Sequence, residues 1–429
     1  MLPVDGANIL LGMAAVVAVV TTLWSMACLF WATRRPRAIA DHTPPVTILK
    51  PLKGMDEGLE ENLRSFFRLD YPKYQFIFGV AEENDPAISV VQKLLAEFPD
   101  HQAKLVVGNP SFGLNPKVEN LAAMDRHREY EVVLISDSNV RVRPSYLRET
   151  ACYLSEPGVG LVSNIFAGVG ESHAAAVMEN LQLNGFIAGG VAAASVMRVT
   201  CVVGKSMMMP VAALEAIGGF AAVRNLLAED QAVGVRMRQA GYSIRLSHHV
   251  IENINARRSF RWFLNRHSRW YKIRRQMALP AFVAEPLANL PTVGLIWAFS
   301  AESGIAWGGL LLLVGLGIFR DAVQSRWLRG SYPKLRHLVF SPIKDILLLS
   351  VWFDAIFNRR VWWRGHRFLV GRMTRLREAR VPRSVRKRVR RLRQLRHQHE
   401  IGEMPSSNPA IDQRRPAPNP AIDPTSPNE

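Results

Sequence analysis

Cysteine is scarce in this chain. Its three cysteines, Cys28, Cys152 and Cys201, form no Cys-x-x-Cys pair, so a disulfide framework and a cysteine zinc site are both excluded. Several chemical motifs are absent as well. No Gly-x-Gly-x-x-Gly follows a strand-like run, and neither Gly-x-Ser-x-Gly nor His-Glu-x-x-His occurs. Gly204-Lys205-Ser206 looks like the end of a phosphate loop, but Val199 stands where that motif requires its first glycine. His248-His249 lacks metal-ligand spacing and reads as a strand-end pair. Acidic residues are under-represented, 36 Asp plus Glu against 54 Lys plus Arg, for a net charge of +18. Yet 16 of those bases and only one acid, Glu378, lie between Asn358 and His397, which leaves 38 bases against 35 acids elsewhere. A nucleic-acid-binding domain spreads its basic residues over a folded face, so that partner class is set aside. With 48% hydrophobic and 21% charged residues in 429, the chain is not disordered throughout and suits one or two domains.

Charge is also missing locally. Gly6–Thr33 contains none, and 28 such residues exceed the roughly 20 that span ~30 Å of hydrocarbon. Basic residues follow this run, at Arg34, Arg35 and Arg37, rather than preceding it. That is the reverse of a signal peptide and places the next domain in the cytoplasm. After Pro280 two further charge-free runs, Pro286–Ala301 and Ser303–Phe319, flank Glu302. A third, Ile343–Phe357, contains Lys344, Asp345 and Asp354, which suits an interfacial or re-entrant segment. Two or three membrane segments are expected there.

Between Pro44 and Leu246 the pattern is globular. β-Branched and aromatic runs (Val46–Leu49, Phe76–Val80, Leu105–Val107, Val132–Ile135) alternate with helical periods (Leu59–Phe67, Ala87–Phe98, Val118–Arg128). This alternation predicts βαβ units and a mostly parallel sheet, with ligands beyond the carboxyl ends of the strands. Acids stand at such positions: Asp85 in Glu82-Glu83-Asn84-Asp85-Pro86, Asp137 in Ser136-Asp137-Ser138-Asn139, and Glu229-Asp230 before a helical stretch. Each alone reads as a turn or a cap. An aromatic and basic segment, Arg257 to Trp270, follows. On a helix, Trp262, Arg266 and Arg269 share a face, suited to a membrane interface or to clamping a diphosphate.

Asp85, Asp137, Asp230 and Arg266-x-x-Arg269-Trp270 resemble, in order and spacing, the D, D, D, (Q/R)xxRW signature of membrane-bound GT-A glycosyltransferases. More closely, the chain resembles the ceramide glucosyltransferases, in a bacterial form. The stretches that carry this are Ile48–Gly54, Leu69–Tyr74, Asp85–Ile88, Asn115-Pro116-Lys117, Cys201–Met207, Gly218-Gly219 and Ala228–Asp230. The resemblance implies a cytoplasmic GT-A domain of the α/β class at residues 44–255, with a mixed, mostly parallel sheet. It follows an N-terminal membrane helix (1–33) and precedes an interfacial segment (256–280), membrane segments (281–357), a basic membrane-surface tail (358–400) and a disordered tail (401–429). A bacterial inner membrane is the expected location.

The implied reaction moves a hexose, expected to be glucose, from a UDP-sugar to the primary hydroxyl of ceramide or a related lipid, with inversion. Asp230 is then the base. Asp85, Lys117, Asp137, Arg266, Arg269 and Trp270 bind the UDP-sugar, and Asp137 with Asn139 holds Mg2+ or Mn2+. The departure is Asn139, where many such enzymes have a second acid, so one charge is lost. The rival readings are a hopanoid N-acetylglucosaminyl transferase, a processive polysaccharide synthase, and a non-enzymatic membrane-anchored lipid- or nucleic-acid-binding protein. Arg266 and the few apolar segments oppose the synthase; the intact acids oppose the non-enzyme. Anionic lipids are the expected partner of the basic tail.

Overall fold

The computed structural model describes residues 4–34, 41–108, 111–363 and 366–378. In chain order, the first half comprises α1 (Val4–Ala32), β1 (Val46–Pro51), α2 (Leu59–Phe67), β2 (Tyr74–Val80), α3 (Ala87–Glu97), β3 (Ala103–Val107), α4 (Pro116–Asp125), β4 (Val132–Ser136), β5 (Val140–Arg141) and α5 (Tyr146–Ala151). The second half comprises β6 (Val159–Val169), α6 (Ala174–Gln182), α7 (Ala188–Val196), β7 (Ser206–Pro210), α8 (Val211–Ala216), α9 (Glu229–Gln239), β8 (Ser243–Ile254) and α10 (Phe260–Met277). It continues through α11 (Leu279–Ala284), α12 (Leu290–Ala301), α13 (Gly304–Arg329), α14 (Leu335–Leu338), α15 (Phe340–Phe357), β9 (Arg360–Trp363), β10 (His366–Val370) and β11 (Leu376–Glu378). Eight strands form one sheet in the order β3-β2-β1-β4-β7-β6-β8-β5.

The first four strands are parallel, as their apolar runs predict. β7 then runs antiparallel between β4 and β6 and makes the sheet mixed. Alternate residues of each strand feed two cores. Ile48, Phe76, Phe78 and Leu134 pack under Leu63, Phe66 and Leu94 on one face. Leu49, Ile77, Ile135 and Met209 pack under Val118, Leu121, Val233 and Met237 on the other. Gly79 is required by this layering, because a Cβ there would stand 2.0 Å from the Asn120 amide oxygen and 2.6 Å from the Met124 sulfur.

Two helices among the described residues are long and apolar enough to cross a membrane, Asn8–Ala32 and Gly304–Arg329. Their outward faces, Met13, Val16 and Val20 on α1 and Ile305, Leu311 and Leu312 on α13, are exposed. The run expected as Pro286–Ala301 is not one straight crossing helix. Residues Leu279–Ala288 and Leu290–Ala301 meet at a 61° bend, and only as a bent pair do they pass the same test. The third expected segment, α15, does not qualify as a span. Two of its three charges, Lys344 and Asp345, are buried in a network instead: Arg320 lies 2.9 Å from Asp321 and 3.4 Å from Asp345, and Lys344 lies 3.0 Å from Asp321 and 2.6 Å from Asp345. Among the described residues, two helices, or three segments with the bent pair counted as one, are long and apolar enough to cross, against the three or four membrane segments expected.

The basic stretch also departs from expectation. β9, β10 and β11 form a three-stranded antiparallel sheet whose Val361, Phe368, Val370 and Leu376 pack on Leu227. The first part of the expected tail is thus folded. The remainder of the basic tail and the expected disordered tail (379–429) lie outside the described residues.

Candidate active site

The carboxyl ends of β1 and β4 open onto one cleft. Lys53 and Asp56 follow β1, and Asp137, Ser138 and Asn139 follow β4. Because Ser136 of β4 pairs with Ser206 of β7 across an antiparallel ladder, the residue after one faces the residue before the other. Lys205 is thereby delivered to Asp137. Its ammonium lies 3.0 Å from Asp137 Oδ2 and 2.7 Å from Asn139 Oδ1. The opposite side is supplied by helix starts. Asn115 caps α4, accepting from the backbone amides of Lys117 and Val118. The Lys117 ammonium then reaches Asp137 Oδ1 at 2.9 Å, Glu229 Oε1 at 3.0 Å and the Gly204 carbonyl at 3.4 Å.

Asp230 stands in the first turn of α9. Its Oδ2 accepts from the Gly204 amide at 2.7 Å and its Oδ1 from its neighbour Gln231 at 2.8 Å. A Cβ on Gly204 would lie 2.9 Å from Asp230 Oδ2 and 3.2 Å from Lys117 Nζ, so glycine is needed for this approach. Burial, with the Glu229 charge adding to it, pushes Asp230 up to about 6, against the opposing pull of Lys117 and the two amides. For Asp137 the balance reverses. Burial opposes its ionisation, but Lys117 and Lys205 hold it far below the usual carboxylate range. Burial likewise opposes the charge on Lys117, yet Asp137 and Glu229 raise it above an ordinary lysine. Lys205 is lowered by burial, in spite of Asp137 and assisted by Arg266.

α10 closes the cleft. Ser259 caps it, accepting from the Trp262 amide. Arg266 is buried, with its guanidinium 4.5 Å from the Trp270 ring centre and 5.1 Å from Trp262. Behind it the fully buried Glu179 of α6 accepts from His267 at 2.9 Å and pairs with Arg266 at 3.3 Å. Arg269 stacks 6.0 Å from the ring of Trp363, which with Trp362 forms a wall contributed by β9. The cleft has a volume of roughly 470 Å³, within the range of about 300–1,000 Å³ of a small-molecule site. Six bases (Lys53, Lys117, Lys205, Arg258, Arg266, Arg269) and four acids (Asp56, Asp137, Glu229, Asp230) line it. The net of +2 complements a diphosphate diester, which carries one negative charge per phosphate.

Lys117, Asp137, Asn139, Asp230, Arg266, Arg269 and Trp270, all expected from the sequence, line this one cleft. Asp85 does not. Its carboxylate accepts from the Gly54 amide at 3.0 Å and the Ala87 amide at 2.9 Å, tying the loop after β1 to the start of α3. Sequence reasoning missed Lys205, Glu179, Trp362 and Trp363. Lys205 had been set aside with the false phosphate loop, although it lies inside the Cys201–Met207 stretch that carries the resemblance. The expected metal ligands do not fit their ion. Both Asp137 oxygens and the Asn139 oxygen face ammonium groups, and no cluster of three or more His, Cys, Asp or Glu able to hold a metal occurs among the described residues.

A mixed α/β sheet with a charged cleft at the strand ends defines a GT-A type fold. The mannosyltransferase PcManGT from Pyrobaculum calidifontis, solved with GDP-Man and Mn2+, superposes with a TM-score of 0.50 at 17% identity, over 81% of this chain and 99% of its own. The chain belongs to glycosyl transferase family 21, whose model matches residues 10–376, and it is accordingly a sugar-transferring enzyme. Ceramide glucosyltransferase 3 of Caenorhabditis elegans is 28% identical over 332 residues, covering 76% of this chain and 72% of the relative. Ceramide glucosyltransferase 1 of the same organism is 32% identical over 257 residues, or 60% and 55%. The Komagataella phaffii ceramide glucosyltransferase is 40% identical over 116 residues, or 26% and 23%.

Proposed function

We propose that this enzyme transfers a hexose, glucose by preference, from a UDP-sugar to the primary hydroxyl of ceramide or a related lipid. The observation that carries this reading is the joining of Asp230, Lys205, Arg266 and Arg269 in one cleft lined by α10, so that a base and a diphosphate site face each other. Asp230 takes the proton of the acceptor hydroxyl; each of its oxygens retains a lone pair beyond its amide bond. The acceptor oxygen then bonds to the anomeric carbon opposite the diphosphate. The electron pair of the breaking bond passes to the β-phosphate, where Lys205, Arg266 and Arg269 stabilise it. Asp137 holds the two lysines in place. Asp85 shapes the loop at Gly54 that would border the uridine. The expected Mg2+ or Mn2+ does not fit these donors, and no step is routed through it. Phe260, Leu279, Val283 and Leu287, exposed at and beyond the two ends of α10, suit contact with the acceptor membrane. The bases after α1 favour a cytoplasmic catalytic face, in a bacterial case on the inner membrane.

The test is direct. Purified enzyme in vesicles is offered UDP-glucose, UDP-galactose, UDP-glucuronate and UDP-N-acetylglucosamine, each with ceramide and with a hopanoid acceptor. A lipid-soluble product from UDP-glucose and ceramide is expected. Product only from UDP-N-acetylglucosamine and the hopanoid would establish the rival transferase instead.

A further inference from the structure

Resting on the sugar-transfer reading above, we propose that Lys205 is a built-in cation standing where the resemblance leads one to expect a divalent ion. The enzyme then neutralises its leaving diphosphate without a metal.

Geometry supports this at three points. First, the donors are taken. Asp137 offers one oxygen to Lys117 at 2.9 Å and the other to Lys205 at 3.0 Å, and the Asn139 oxygen holds Lys205 at 2.7 Å. An entering ion would have to displace two buried ammoniums and then sit beside them. Of the nearby acids, Glu229 pairs with Lys117, and Asp230 serves as the base in the reading above. Mg2+ at a nucleotide site rests on one or two carboxylates with waters and phosphates, and here the carboxylate at that position is already held by two ammoniums. Second, the charge is already there. Two ammoniums on one carboxylate bring the same formal +2 as the ion.

Third, the two lysines are not equivalent. An ammonium has three N–H donors. Lys117 directs its three at Asp137, Glu229 and the Gly204 carbonyl. Lys205 directs two at Asp137 and Asn139, and its side chain lines the cleft with Arg266 and Arg269. Lys205 therefore has a donor for the β-phosphate. It is also held rigidly. The next residue, Ser206, is buried in the β4–β7 ladder, and its hydroxyl donates to Asn164 at 2.6 Å and bonds the Tyr146 hydroxyl at 2.6 Å. A cation fixed in this way needs no reorganisation as charge develops on the leaving oxygen. The step balances without another reagent: the acceptor proton goes to Asp230, and the C–O electron pair goes to the β-phosphate.

The experiment uses the full chain in vesicles after dialysis against EDTA. Sugar transfer, UDP affinity and the electron paramagnetic resonance signal of titrated Mn2+ are read together. Transfer in EDTA should stay within about twofold of the rate with added Mg2+ or Mn2+, and the Mn2+ signal should remain that of the free ion. Lys205→Met should lower transfer about 10²–10³-fold and weaken UDP binding, whereas Lys205→Arg should retain much of both. Loss of transfer in EDTA with recovery in Mn2+, or stoichiometric Mn2+ binding displaced by Asp137→Asn, would overturn the proposal while leaving sugar transfer intact. Wild-type rates in a folded Lys205→Met protein would also overturn it. Absence of UDP binding and transfer in every buffer would instead remove the sugar-transfer reading on which it rests.

Discussion

Asp230 has two backbone donors that favour its charge and a like-charged neighbour, in a buried turn, that opposes it. With the balance near 6, the carboxylate is the main form at neutral pH, yet binds a proton more strongly than an ordinary aspartate. If it is the base, transfer should fall as pH drops through about 6, tenfold per pH unit below that point. Glu229→Gln removes the like charge and should move this acid limb to lower pH. Asp230→Asn keeps the shape without the basicity, so the rate should fall about 10²–10⁴-fold while UDP binding persists. Rate measurements across pH 4.5–8 on the three proteins decide this (the range is chosen to bracket the shifted value by roughly two units). An unchanged limb in Glu229→Gln would place the titration elsewhere. The identity of Asp230 was legible from its strand–helix position and motif spacing. Its proton affinity was not, since that depends on Lys117 and Gly204, which are remote in the chain.

At the level of elements, the β9–β11 sheet shows how charge density misleads. Its arginines made the stretch resemble a basic membrane-surface tail, yet Val361, Phe368, Val370 and Leu376 alternate with them and are buried. The sheet braces the loop that leads into the catalytic acids. Leu227 donates to the Thr374 carbonyl at 3.0 Å, and Leu376 donates to the Asn225 carbonyl at 2.8 Å. A truncation ending at Glu378 should therefore keep transfer on neutral vesicles. One ending at Gly371 removes Thr374 and β11, and should cost about 10²-fold or more through misplacement of Glu229 and Asp230. Parallel assays of the two truncations, with thermal unfolding in detergent, test this. Equal activities would mean that the sheet is dispensable.

For the whole molecule, attachment divides between apolar and electrostatic parts. α1 and α13 are each long and apolar enough to cross a bilayer, and their outward faces are exposed. Beyond the described residues, Ala379–His399 contains nine Lys or Arg and no acid. Each such base near an anionic surface is worth about 1 kcal/mol at most, within a Debye length of roughly 8 Å. Removing 379–429 should leave the enzyme membrane-bound while weakening its preference for anionic vesicles at low salt. A salt series on vesicles with and without anionic lipid checks this, and identical responses from both proteins would assign the tail no electrostatic role.

The sequence by itself determined strands β1–β4, the helices between them and the N-terminal apolar helix, and its resemblance to a family marked seven of the cleft residues. The strands and helices follow from local periodicity, which acts over a few residues. Only the tertiary structure decided the rest. Lys205 reached Asn139 across 66 positions because β7 reverses beside β4. Arg266 and His267 found Glu179, 88 positions from His267, and Lys344 and Asp345 of α15 were absorbed by Arg320 and Asp321 of α13. The physical reason is common to all three. A buried charge is tolerated only beside a partner, and which partner it meets is set by strand order and helix packing, on which a local pattern bears no mark.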